Sequence, residues 1–130
     1  MIGGWVLDAD ALSGFATGSS VYVQALVWTA VEENVVLAVP ATALAQSVAR
    51  INGRDQPALT VLLDLPVTIV DDLERQQATD VGYLLAVVAG DDLALGHAVR
   101  CAQQRGWPLV TGDKTAARRL DDAIDVRELP

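Results

Sequence analysis

Gly106-Trp-Pro-Leu-Val-Thr-Gly-Asp113 is the stretch on which the fold of this chain turns. Gly106 ends a helical pattern that runs to about Arg105, because glycine readily takes the left-handed conformation that closes a helix. Leu109-Val110 is then a short apolar strand, and it runs out through Thr111-Gly112 into an acid, Asp113. Helix, stop, strand and acid in that order read as the second half of a βαβ unit. Near the amino terminus a strand ends the same way: Trp5-Val6-Leu7 leads to Asp8, and Asp10 follows. Ligand sites in α/β proteins gather at the carboxyl ends of neighbouring parallel strands, so carboxylates delivered there by two strands are expected to share one crevice. A metal ion is the ligand to look for in it.

Between these ends, strands and helices alternate. Ala11–Ala16 starts a helix that Thr17-Gly18-Ser19-Ser20 interrupts. Ser19 or Ser20 caps the next, in which Val21, Ala25, Val27, Trp28 and Val31 recur at helical spacing as far as Glu33. Val35–Val39 is a continuous apolar run, the mark of a strand covered on both faces, and Pro40 suits the first turn of a helix over Ala41–Arg50. Pro57 opens a short helix to about Asp64, and Val67–Val70 is a third strand. Asp71 or Asp72 caps a helix through Val88, and Asp91 or Asp92 caps the one that reaches Arg105. Thr115–Leu120 is a short helix and Ile124–Val126 a weak edge strand. The expected fold class is α/β, a three-layer α/β/α sandwich around a central, mainly parallel sheet. No repeat, linker or low-complexity segment interrupts the pattern, so residues 1–130 are expected to form a single domain.

Composition narrows the function classes. Hydrophobic residues make up 52% of the 130, enough to build a core and to exclude disorder. No apolar stretch reaches the roughly 20 residues of a membrane span, and the amino terminus has neither a charged leader nor an apolar signal core. The expectation is a cytoplasmic protein with no membrane partner. The one cysteine, Cys101, rules out a disulfide framework and a cysteine-based zinc site, and its apolar helical neighbours mark it as a buried, inert thiol. A net charge of −8 opposes nucleic-acid binding by the molecule as a whole. The cations are unevenly placed, however. Lys114, Arg118 and Arg119 follow Asp113, and Arg50 and Arg54 close another helix. They form either a basic rim beside an acidic pocket or ordinary charge at helix ends.

Carboxylates are left to carry the chemistry. The single histidine, His97, lies mid-helix away from any serine or cysteine signature, which leaves a Ser-His-Asp or Cys-His system without support. Ala16–Ser20 lacks the lysine of a P-loop and the spacing of a dinucleotide fingerprint. Mg²⁺ or Mn²⁺ prefers carboxylate and water oxygens, and such an ion activates water and offsets the charge that grows on a phosphodiester in its transition state. Strand-end placement makes Asp8 and Asp113 the leading ligand candidates. For Asp10 and Asp92 the plainer reading is helix capping.

Three segments together resemble the PIN domain of the VapC-like toxin type: Val6-Leu-Asp-Ala-Asp-Ala-Leu12, Val39-Pro-Ala-Thr-Ala-Leu-Ala-Gln46, and His97 through Gly106-Trp-Pro-Leu-Val-Thr-Gly-Asp113. The resemblance covers nearly the whole chain in order and spacing, and its most specific piece is the last. It implies a PIN-like fold, a Mg²⁺- or Mn²⁺-dependent endoribonuclease activity on an RNA substrate, a homodimer, and a small antitoxin protein that plugs the site. Asp8 matches the family's first acid and Asp113 its late one. Gln46 stands where the family usually has Glu, and the remaining acid falls by spacing at Leu95. Asp92, three residues earlier on the same helix face, is the nearest carboxylate. The implied site is Asp8, Asp113 and Asp92 as catalytic residues, Asp10 joining them around the metal, and Thr111, Lys114 and Arg118 against the substrate.

Two lost charges matter physically. A Gln amide offers an oxygen without charge, so affinity for a hard divalent ion drops. That opens an alternative in which the chain is a catalytically silent interaction module. A further alternative reads Asp8-Ala-Asp10 as the start of a haloacid-dehalogenase-like phosphohydrolase, against which stand the short chain, Leu12 after the motif and the lack of a well-placed lysine. Trp28 with Tyr22 could contribute a dimer face. Trp5 reads as core and Trp107 as a buttress for the last turn of the helix before it.

Overall fold

The computed structural model describes residues 3–130. Strands β1 (Gly4–Leu7), β2 (Val36–Pro40), β3 (Thr68–Asp71), β4 (Leu109–Thr111) and β5 (Val126–Glu128) form one sheet in the order β3-β2-β1-β4-β5. Every neighbouring pair is parallel. The helices are α1 (Ala9–Thr17), α2 (Val21–Glu33), α3 (Ala41–Arg50), α4 (Gln56–Asp64), α5 (Arg75–Val87), α6 (Leu93–Arg105) and α7 (Lys114–Leu120), with a 3-10 turn at Gly53–Asp55.

Side chains alternate across a strand, and here the alternation assigns two cores. Leu7, Leu37, Val39 and Val110 pack with Leu12 of α1, Val23 and Val27 of α2 and Leu59 and Leu62 of α4. Val6, Ala38, Leu109 and Val126 point the other way, against Ala98, Val99, Cys101 and Ala102 of α6 and Ala117 of α7. The result is the expected α/β/α sandwich, with a sheet that is parallel throughout. Among the described residues no helix is long and apolar enough to cross a membrane.

Several boundaries differ from the sequence reading, and three of them have a clear local reason. The first helix begins at Ala9 rather than Ala11, because Asp8 caps it: the Ala11 N–H donates to Asp8 Oδ1 at 2.9 Å. Neither Asp71 nor Asp72 caps α5. Asp71 belongs to β3 and its carboxylate accepts two bonds from the Arg105 guanidinium, so the helix starts behind Glu74. The edge strand lies at Val126–Glu128 rather than Ile124–Val126, because Leu109 pairs with Val126 and the register continues from there to Glu128.

Gly106 closes α6 with φ of 68°, its N–H donating to the Ala102 carbonyl. Trp107 lies under the Arg105 guanidinium at 5.0 Å, buttressing that helix end by cation–π contact. Trp5 is half-buried against the core beside α2, whereas Trp28 is 65% exposed. Cys101 is buried, and burial, helped by the nearby Asp71 charge, pushes its thiol up to about 12. It is inert, as expected. His97 is fully buried, and its Nδ1 meets the Thr42 hydroxyl at 2.8 Å, tying α6 to α3.

Candidate active site

Sheet order creates the site. From β1 the chain proceeds to β2 and β3 on one side, while β4 and β5 lie on the other. The β1/β4 junction is therefore a topological switch point, where connections diverge and leave a crevice at the strands' carboxyl ends. Leu7 pairs with Val110, and the Asp8 N–H donates to the Val110 carbonyl at 3.1 Å. Asp8 thus leaves β1 beside the end of β4, two residues past which stands Asp113. A cleft of about 180 Å³ opens there, and Asp8, Asp10, Gln46, Arg50, Asp92, Leu95, Thr111 and Asp113 line it.

Three of the four acids also hold helices in place. Asp8 caps α1, Asp92 caps α6 through the Leu95 N–H (3.0 Å), and Asp113 caps α7 through the Ala116 N–H (3.0 Å). Each cap satisfies an otherwise orphaned amide and is worth about 1 kcal/mol. It also uses only Oδ1, so among the described residues the second oxygen of Asp92 and of Asp113 has no hydrogen-bond partner. Capping and ligation are therefore compatible on the same side chain.

Asp8 is the electrostatically stressed member. It is 5% exposed, and burial pushes its carboxyl from 3.8 up to about 6. The Thr111 hydroxyl and the Ala11 N–H pull in the opposite direction by hydrogen bonding to the charged form, and the Asp10 charge adds a smaller upward push. The same Thr111 hydroxyl accepts the Asp113 N–H at 3.0 Å. Thr111 therefore braces both acids at once. It is fully buried by area yet forms part of the cleft wall, so from that wall its hydroxyl positions both acids.

Asp10 is engaged differently. Its Oδ1 takes a 2.9 Å bond from Arg50 Nη1, in a pair whose side chains are 45% and 43% exposed. Across the floor, Asp10 Oδ2 lies so close to the Gly112 backbone that a Cβ there would sit 2.6 Å from it. This is why the strand ends in Thr-Gly-Asp: a side chain at 112 would expel Asp10.

Lys114 and Arg118, expected against the substrate, do not line this cleft. Both are exposed on α7, and the Lys114 backbone N–H is held by Glu128 Oε2. The cation that does enter is Arg50. It sits four residues after Gln46, hence on the same face of α3, and that spacing was the sequence signal for it.

Gln46 and Leu95 line the cleft where two further acids would have completed a cage. Among the described residues, no three Asp, Glu, His or Cys side chains converge closely enough to hold an ion by themselves. Mg²⁺ needs only one or two protein carboxylates and keeps water on its other positions. The donors here are all oxygen, so the set fits a hard divalent ion held by two carboxylates, more weakly than a four-acid site would.

No family model matches the chain, and no curated protein matches it by sequence. Among the solved structures that share its architecture are the following two. One is a chain of the VapBC2 complex from Rickettsia felis, crystallised with a DNA fragment from its promoter: TM-score 0.71, 15% identity, covering 100% of both chains. The other is PAE2754 from Pyrobaculum aerophilum, with TM-score 0.63, 18% identity, and coverage of 96% of this chain and 92% of that one. At these identities the likeness is one of fold, and the fold is the PIN-like α/β/α sandwich that the three sequence segments resemble.

Proposed function

We propose that this chain is a VapC-like endoribonuclease of a toxin–antitoxin pair, dependent on Mg²⁺ or Mn²⁺ and weakened by the loss of two site charges. The observation that carries the reading is the meeting of Asp8, Asp10, Asp92 and Asp113, from three separate stretches of the sequence, in one cleft at the switch point of a PIN-like sheet. Asp8 and Asp113 are the residues to hold the ion. The chemistry supplied by that ion when bound is Lewis acidity, which activates water and offsets phosphoryl charge.

The chain's own groups do the rest. Asp92, exposed and lining the cleft, accepts the proton given up by the attacking water as the new oxygen–phosphorus bond forms and the bond to the ribose oxygen breaks, the departing oxygen taking a proton from solvent. Arg50 exchanges Asp10 for the phosphate, which a guanidinium fork matches well. Thr111 keeps Asp8 and Asp113 in register. With a net charge of −8 the chain has little general attraction for RNA, so binding rests on the cleft and its immediate rim.

The test is cleavage of a single-stranded RNA with a titration of Mn²⁺. Turnover by the natural chain, lost in both Asp8→Asn and Asp113→Asn, is the expected result. Metal-independent turnover, or full activity in either variant, would overturn it. A silent interaction module is the second reading, favoured by Gln46, Leu95 and the Arg50–Asp10 pair; it predicts no turnover at saturating Mn²⁺ together with tight capture of a small antitoxin. The phosphohydrolase alternative gains nothing, since the single lysine, Lys114, lies outside the cleft. We place this function in the cytoplasm, in a homodimer joined through α2, where exposed Val21, Tyr22 and Trp28 supply apolar surface. Trp28→Ser should then yield a monomer in sedimentation.

A further inference from the structure

Beside the acidic cleft lies a second cavity, of about 230 Å³, between the end of α5, the start of α6 and one side of α7. Asp92 and Leu95 belong to the walls of both. We propose that this cavity is a nucleobase pocket that receives the unpaired base next to the scissile phosphate and selects guanine. The proposal rests on the nuclease reading of the adjoining cleft and extends it to substrate choice.

The walls argue for a flat, partly polar guest. Leu85, Leu95 and Leu120 supply apolar surface from three different helices. The volume lies below the roughly 300–1,000 Å³ of sites that enclose drug-sized ligands, which leaves space for a single ring system. Asp91, also among the lining residues, is exposed, and among the described residues its carboxylate has no hydrogen-bond partner. The guanidinium-bearing Arg119 lines the same cavity. A carboxylate facing an apolar slot accepts hydrogen bonds only, so it matches a base edge presenting adjacent N–H donors. Guanine offers two, at N1 and N2, on the edge that single-strand readers commonly use. Arg119 is then placed for a flanking phosphate, which is consistent with a polyanion crossing from one cavity to the next.

The loop that leads to Asp91 is held in an unusual shape. Ala89 has φ of 51°, a left-handed conformation that residues with a Cβ seldom adopt. The Ala89 N–H and the Gly90 N–H both fold back onto the end of α5, to the Ala86 and Leu85 carbonyls. This tight return carries Asp91 over the cavity instead of letting α5 run on into solvent. An aliphatic side chain of a partner protein would fill the apolar floor but leave Asp91 without a role, which is why RNA is the favoured occupant.

The experiment uses the full chain and three fluorescent single-stranded oligouridylates, one with a central guanosine, one with a central inosine and one unsubstituted. Binding is read by anisotropy in Ca²⁺ and cleavage separately in Mn²⁺. Guanosine should tighten binding about tenfold over uridine, within the discrimination a two-point match to a base edge confers. Inosine, which lacks the N2 amine, and Asp91→Asn should each bring that preference to within about twofold. Cleavage without base preference, or a preference that survives Asp91→Asn, overturns the pocket while leaving the nuclease reading intact. Guanosine preference in binding without any cleavage does the reverse. Should Asp91→Asn weaken antitoxin capture with RNA binding unchanged, the occupant is a protein side chain and the proposal fails.

Discussion

Replacing Asp8 by Asn should stabilise the protein at alkaline pH while destroying its proposed ion site. In the native chain burial raises the Asp8 carboxyl from 3.8 to about 6, so between those values the folded state holds a proton that the unfolded state has released. Stability therefore falls as pH rises through that window, with the full effect reached above about pH 6. A gap of that size corresponds to about 3 kcal/mol of strain at pH 8, an upper figure because the cleft admits some water. Asn is as good an N-cap as Asp and carries no charge, so the α1 cap survives and the strain goes. Urea unfolding at pH 8 should place Asp8→Asn about 1–3 kcal/mol above the natural chain, and the difference should vanish near pH 4. Using the difference between variants cancels every other titrating group. Saturating Mn²⁺ should narrow the gap by stabilising only the natural chain, because an ion bound by the folded state adds stability by mass action. A variant no more stable at pH 8, or a difference that does not change with pH, would refute the assignment of burial as the dominant force on Asp8.

Arg50→Gln should strengthen Mn²⁺ binding about two- to fivefold, since an exposed pair of this kind is worth about 0.2–1 kcal/mol and Asp10 is released; RNA binding in Ca²⁺ should weaken, and an unchanged RNA affinity would remove Arg50 from substrate contact. Gly112→Ala should cost at most about 1–3 kcal/mol by chemical denaturation, because the Asp10 carboxylate can move aside, yet it should break the Arg50–Asp10 pair and alter ion affinity, measurable by Mn²⁺ titration. His97 is held below its ordinary value of 6.5, chiefly by burial against the opposing pull of Asp71 and Asp72. The unfolded chain therefore takes up a proton first as pH falls through 6.5, stability is lost on that side, and His97→Gln should flatten the acid limb of the stability profile.

Much of the site's raw material was legible in local pattern. The apolar runs at residues 5–7 and 109–110 end in acids because a strand's last residues meet solvent and ligand, and the capping chemistry of Asp8, Asp92 and Asp113 is written in the three residues that follow each. The bracing of Asp8 and Asp113 by Thr111 was not legible, because a hydroxyl beside two acids looks the same in sequence whichever partners it takes. Arg50 was left open between a basic rim and a helix-end cation, since its partner Asp10 lies forty positions away.

Sequence alone therefore determined which segments become strands and helices, where the helices stop, and that acids stand at two strand ends, because hydrophobic period and capping act over a few residues. Tertiary structure alone decided that β4 lies beside β1 rather than beside β3, and that choice brings Asp8 and Asp113 to one cleft, sets Arg50 against Asp10 and opens the neighbouring cavity under Asp91. Lateral strand order is settled by how whole faces of the sheet bury against helices drawn from distant parts of the chain, and no local window carries that information.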